Sequence, residues 1–288
     1  MIKNQETKKY ATDKIAFFGL FFLTVVIAAI IVEARHNKPL EAGIDIIENV
    51  KLNGIASYLQ NKNAQQYFVV KNLTGQPFGF TAEQFNLSGP TTQPLIDLKS
   101  LIYIKGSQAQ HQIAFFKGDN NIDFYEWNYR AVGMVGKKSI DISLDENQIL
   151  TITELGPRPE ETRLKLNSYA IPDMYLDFVL KQMVKSKHKK IIIDVIQIDG
   201  QIAPILITKM EYPAQNGDEK AGHVLELRLL DSSGFIQRVF IDPHGDITKK
   251  VLPREKIIME HTDINTILRQ FPGQSQYLLK NMETSEQN

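Results

Sequence analysis

The chain has 288 residues, 33 Lys plus Arg against 33 Asp plus Glu, 43% hydrophobic residues and no cysteine. That composition excludes a disordered chain, a collagen-like chain and a disulfide framework. It also excludes thiol catalysis, Cys-ligated zinc and a lipid anchor on cysteine. Balanced charge leaves no electrostatic footprint for general nucleic-acid binding, and no basic run interleaves with aromatics as a stacking groove requires.

Ile15 to Val32 is an uncharged apolar run of eighteen residues. As a helix it spans about 27 Å, close to the hydrocarbon thickness of a bilayer. Backbone groups in lipid must bond within their own segment, which selects a helix. Lys3, Lys8, Lys9 and Lys14 precede the run, against Glu6 and Asp13; Arg35 and Lys38 follow it, diluted by Glu33 and Glu41. The positive-inside rule therefore puts residues 1–14 in the cytoplasm, 15–33 in the membrane and the rest on the periplasmic or extracellular side. A cleaved signal peptide is the rival, with Val32-Glu33-Ala34 as its cleavage pattern. The run, however, exceeds the usual hydrophobic region of ~7–15 residues. Either reading exports the domain.

Beyond the run, Ile47, Val50, Ile55, Tyr58 and Leu59 keep nearly helical spacing within Ile44 to Gln60. Gln66–Val70 and Pro77–Phe80 read as strands joined by a turn at Leu73-Thr74-Gly75-Gln76. Thr81 to Asp97, with Gly89, Pro90 and Pro94, reads as loop. Strands are then expected at 101–104, 111–116, 122–130 and 139–144, continuing at Leu150 and Ile152. Gly156-Pro157-Arg158-Pro159-Glu160-Glu161 is the linker candidate. Pro172 is expected to open a helix whose apolar face is Leu176, Val179, Leu180, Met183 and Val184. A hairpin follows over 190–198 and 201–209, turning at Asp199-Gly200. Pro204 cannot donate a ladder bond, so its strand is expected at an edge or with a bulge. A second hairpin covers 222–230 and 235–242. Asp263 caps a short helix over Ile264 to Arg269.

The two halves share element order. At a spacing of 125, Phe68, Val70 and Gly75 meet Ile193, Val195 and Gly200; at 112, His111 meets His223. That agreement suggests an internal duplication. The expected fold is α+β: an N-terminal transmembrane helix, then a mainly antiparallel β domain with about one packed helix per half. The halves are placed at 44–155 and 162–273, the linker at 156–161, and a polar tail at 274–288. The halves could form one shared sheet or two lobes.

Sites are sparse. No G-x-S-x-G or Walker motif occurs, and no cofactor is implied. Asp242, His244 and Asp246 alternate in one short turn and could hold a divalent ion, although Asp-Pro-x-Gly is also an ordinary tight turn. Tyr125, Trp127 and Tyr129 alternate along one strand and could stack on sugar or lipid, or fill a core. Lys187 and Lys190, in the basic cluster that follows the helix, could meet anionic headgroups, or complement the helix dipole. The functional expectation is an exported, single-pass, non-catalytic binding or structural protein. It would be held in the lipid bilayer and would engage an envelope protein or an apolar ligand, but no nucleic acid. The alternatives are an envelope hydrolase with a dispersed site, and a scaffold subunit of an envelope complex.

Overall fold

The computed structural model describes residues 38–50, 63–88, 95–104, 110–117, 124–133, 136–144, 149–155, 159–166, 169–197, 201–210, 222–230, 235–276 and 279. The apolar run Ile15 to Val32 lies outside them, and among the described residues no helix is long and apolar enough to cross a membrane. The elements are α1 (38–50), β1 (Asn63–Asn72), β2 (Pro77–Ser88), β3 (Leu95–Ile104), β4 (Gln110–Lys117), β5 (Phe124–Gly133), β6 (Gly136–Leu144), β7 (Ile149–Leu155), β8 (Glu160–Lys165) and β9 (Ala170–Pro172). A 3-10 turn, Asp173–Tyr175, leads into α2 (Leu176–Lys185). There follow β10 (Lys190–Ile196), β11 (Ile202–Met210), β12 (His223–Leu229), β13 (Phe235–Ile241), β14 (Ile247–Leu252), β15 (Ile257–Thr262) and α3 (Ile264–Gln270).

All fifteen strands belong to one sheet, ordered β8-β7-β6-β5-β4-β3-β2-β1-β15-β14-β13-β12-β11-β10-β9. Every pairing is antiparallel except β9 with β10. Fourteen gaps of ~4.8 Å would set the edges of a flat sheet roughly 67 Å apart. Yet β8 ends at Lys165 and β9 starts at Ala170, five Cα steps that span at most about 18 Å. The sheet must therefore curl until its edges approach. The chain runs once around a nearly closed wall. The first and last strands, β1 and β15, zip together, and the seam falls in mid-sequence between β8 and β9.

Packing agrees with that geometry. Leu150 of β7, at one end of the sheet, shares a core with Ile171 of β9 and Ile193 and Val195 of β10 at the other. The same core takes Ala42, Ile46, Ile47 and Val50 of α1 and Phe178, Val179, Leu180 and Met183 of α2. Both helices thus fill the inner face. The outer face is covered locally: α3 packs Ile267 and Ile264 on Tyr67, Val69, Phe80, Ala82 and Leu101 of β1 to β3. Asp263 starts α3 by accepting from Thr266 N–H at 2.9 Å, as expected of a cap.

A mostly antiparallel β domain with a few helices is therefore the fold, and the halves share one sheet. Several boundaries differ from the sequence reading. Thr81–Ser88 and Leu95–Asp97 are strand, not loop, because β2 and β3 pair in continuous register from Gly79–Ile104 to Ser88–Leu95. Glu160 and Glu161, read as part of a linker, belong to β8, which pairs with β7. Pro172 closes β9 and does not open the α-helix. Pro204 lies in a strand paired on both sides. It is tolerated because the β12 ladder ends at Ile205, and Pro204 only accepts, from Leu230 N–H at 2.9 Å. The Asp199-Gly200 turn lies outside the described residues.

Candidate functional site

Among the described residues, two lysines of the inner face meet α2. The register aligns Lys250 of β14, Val239 of β13, Leu225 of β12 and Lys209 of β11 in one inward row. Three strand spacings separate the two lysines, about 14 Å, against about 15 Å for a ten-residue helix. α2 lies along that row with a lysine at each end. Lys209 Nζ donates to the Val184 and Ser186 carbonyls at 3.1 and 2.9 Å, satisfying the carboxy-terminal end. Lys250 Nζ donates to both oxygens of Asp177, in the first turn, at 3.0 and 2.8 Å. It also lies 5.5 Å from the centre of the Phe68 ring.

Lys250 reaches the interior through a backbone irregularity. Ile241 pairs with Ile247, but Phe240 pairs with Lys249, leaving Thr248 as an extra residue. Without that bulge Lys250 would fall on the outer face beside Arg238. With it, Ile247 and Lys250 both point inward.

Electrostatics tie a third residue to this group. Burial pushes the Glu83 carboxyl above its ordinary range, and Lys250 and Lys181 recover only part of the shift, while Asp177 adds to it. Burial alone would depress the Lys250 ammonium, but the Asp177, Glu83 and Asp173 carboxylates outweigh it and hold the charge. Lys209, which burial alone displaces, is pushed down. Lys181 extends the group to Asp246 at 3.5 Å. On the outer face, Glu226 is also buried, but Arg228 and Arg238 donate to it at 2.7 and 3.0 Å and hold its carboxyl below the ordinary range despite burial.

The residues singled out from the sequence lie on separate elements. Tyr125, Trp127 and Tyr129 occupy alternate positions of β5, in register with Leu144, Ile142 and Ile140 of β6. Through β6, Tyr125 and Trp127 stand in register with Leu150 and Ile152 of β7, and their side chains lie outside the described ones. Lys187 and Lys190 are exposed beyond the end of α2. Asp242, His244 and Asp246 form a tight turn around Gly245, whose φ of +93° suits glycine. One Asp242 oxygen accepts the His244 and Asp246 N–H groups, each at 2.9 Å. Among the described residues no group of three His, Asp or Glu side chains is arranged to hold a metal ion.

The lysine clamp was missed from the sequence, although half of it was readable. Ala203, Ile205 and Ile207 alternate inward, and Lys209 continues their phase. Lys250 was hidden by the bulge.

The chain matches no protein-family model and no curated protein. Among solved structures it is similar to a β-barrel-like protein of domain of unknown function DUF1849 from Brucella abortus. The identity is 9%, the TM-score is 0.45, and the match covers 69% of this chain and 95% of that one.

Proposed function

We propose that the protein is a single-pass membrane-anchored protein whose exported domain has a binding or structural role. The observation that carries the role is the filled interior. The chain's own α1 and α2 already occupy the concave face against Phe68, Ile193, Ile205 and Leu225. A wall closed around its own helices favours partners that meet its outer surface or its edge over an apolar ligand held inside. The lysine clamp fits this role, because it fixes the helix that fills the barrel.

The anchor rests on Ile15 to Val32 and its flanking lysines. α1 is described from residue 38, six residues past Val32, which is a tether of about 22 Å at most. The helix that plugs the wall would then follow the membrane segment directly. An enzyme with a dispersed site is the second reading. It draws on the inward carboxylates Glu83 and Asp177, but Lys250 already engages both Asp177 oxygens.

The test is fractionation. The full chain should stay in membranes through alkaline carbonate washing, and a chain beginning after Val32 should be soluble and folded. Protease added to spheroplasts, in which any outer membrane has been opened, should remove the domain and spare an N-terminal tag. Release of the full chain by carbonate, or protection of the domain until lysis, overturns the anchored, exported reading.

A further inference from the structure

The seam leaves β8 as an edge. Its register puts Glu160, Thr162 and Leu164 on the inner row with Ile152 and Leu150, yet all six residues of β8 are exposed. The last strand of the wall therefore stands clear of the helix-filled core on both faces. Among the described residues one side of β8 pairs with β7 and no strand pairs with the other. The opposite edge, β9, is only three residues long and leads directly into α2.

Charges on an edge strand ordinarily discourage pairing. In Glu160-Glu161-Thr162-Arg163-Leu164-Lys165 the two signs are ordered along the strand, acids first and bases last. An antiparallel copy of such a strand brings acids opposite bases. A two-fold axis normal to the sheet keeps faces matched, so only registers centred on a residue are allowed. Centred on Glu161 or Arg163, the strand sets like charges opposite each other at the axis. Centred on Leu164, it sets Arg163 against Lys165. Centred on Thr162, it sets Glu161 against Arg163 of the second copy twice, Thr162 against Thr162, and Glu160 against Leu164, with no like-charge pair. Within one chain Arg163 Nε already donates to Glu161 at 2.7 Å, so both charges stand on the outer face, ready to form a box of four.

We propose that β8 is a self-pairing edge, through which two copies of this chain join their sheets antiparallel about Thr162. Five residue pairs make a short ladder, so the association is one that a cross-link captures.

The absence of cysteine makes the test clean, because a single introduced thiol can bridge only to another chain. Directly opposed residues lie about 4.5–5.5 Å apart between Cα atoms, within disulfide reach. Residues 161 and 161 of the two copies, or 163 and 163, would be offset by two positions and out of reach. The full chain in its membrane should give, on mild oxidation, a disulfide dimer with Thr162→Cys at several-fold the yield of Glu161→Cys or Arg163→Cys. In the Thr162→Cys background, Glu161→Arg or Arg163→Glu alone should lower the yield several-fold, and the two together should restore it. Equal yields at all three positions, no dimer at Thr162, or failure of the double reversal to restore it overturns the proposal. The exposure of these side chains keeps the variants foldable, and unchanged thermal unfolding of each confirms that.

Discussion

Replacing Lys250 with methionine lowers the stability of the domain by about 3–5 kcal/mol, the cost of leaving a buried charge without its partner. The Lys250 side chain is 11% exposed and that of Asp177 21%, so neither partner can turn to water without moving α2. Loss of the ammonium strands the Asp177 carboxylate beside Glu83, which burial already disfavours as a charge. Removing both sides at once behaves differently. Lys250→Met with Asp177→Leu trades a desolvated pair for apolar contacts, and such trades are often neutral or stabilising. Urea unfolding of the four proteins in a double-mutant cycle measures this. Equal losses in the single and double variants would refute the clamp.

The same group sets a pH dependence. Glu83 has a folded-state pKa raised above the ordinary 4.5, mainly by burial. The folded state therefore binds its proton more tightly, and stability falls as pH rises from 4.5 through the raised value. Glu83→Gln, a neutral mimic, should remove that fall. Glu226 is lowered by its two arginines despite burial, and Glu260 is lowered by Lys71 and Lys249. Their stability is present above 4.5 and is lost as pH falls through their depressed values. These carboxylates together favour the mildly acidic range, with a decline on either side. Parallel profiles for Glu83→Gln and the parent chain would show that Glu83 is not inside the wall.

The contrast between Lys209 and Lys250 shows what alternation can and cannot report. Strand patterning located β1, β4, β5, β6, β10, β11, β12 and β13, through runs of apolar and β-branched residues bounded by turns. It did not single out β14, Ile247-Thr248-Lys249-Lys250-Val251-Leu252, where one extra residue shifts the phase and a buried lysine breaks the apolar row. Bulges are set by the neighbouring strand and not by local propensity. The Thr81 to Asp97 stretch failed for a related reason. Its Gly and Pro residues lie outside the described residues, but ten cross-strand pairs extend the strands well into the region. Closure was equally invisible. β1 and β15 meet across almost two hundred residues, and only the order of pairing shows that one chain makes a single circuit. The convergence of Asp177, Lys250 and Glu83 depends on that closure, so no local spacing could have signalled it.

Gly43→Ala should destabilise the protein by about 2 kcal/mol, the reverse of its effect on an isolated helix. In a free helix the exchange gains about 1 kcal/mol, because alanine orders at lower entropic cost. Here a methyl group at residue 43 would lie 2.0 Å from the Ile192 carbonyl oxygen, 3.0 Å from its carbon and 3.1 Å from Ile193 Cγ2. No carbon and oxygen approach so closely without bonding, so one of the two backbones must give. Ile192 belongs to β10, which pairs with β11 along all seven residues and with β9 at its far end. The strand is held, and the adjustment falls on α1. Moving α1 away loosens Ile46, Ile47 and Val50, each at most 1% exposed, and dispersion contacts decline steeply over such gaps. Asn49→Ala, on the exposed side of the same helix, supplies the control. It removes a local bond to the Asp45 carbonyl and should change stability little. For a domain of this size 2 kcal/mol corresponds to a fall in Tm of roughly 4–8 °C. A Gly43→Ala protein that melts at or above the parent temperature would show that α1 does not lie against β10.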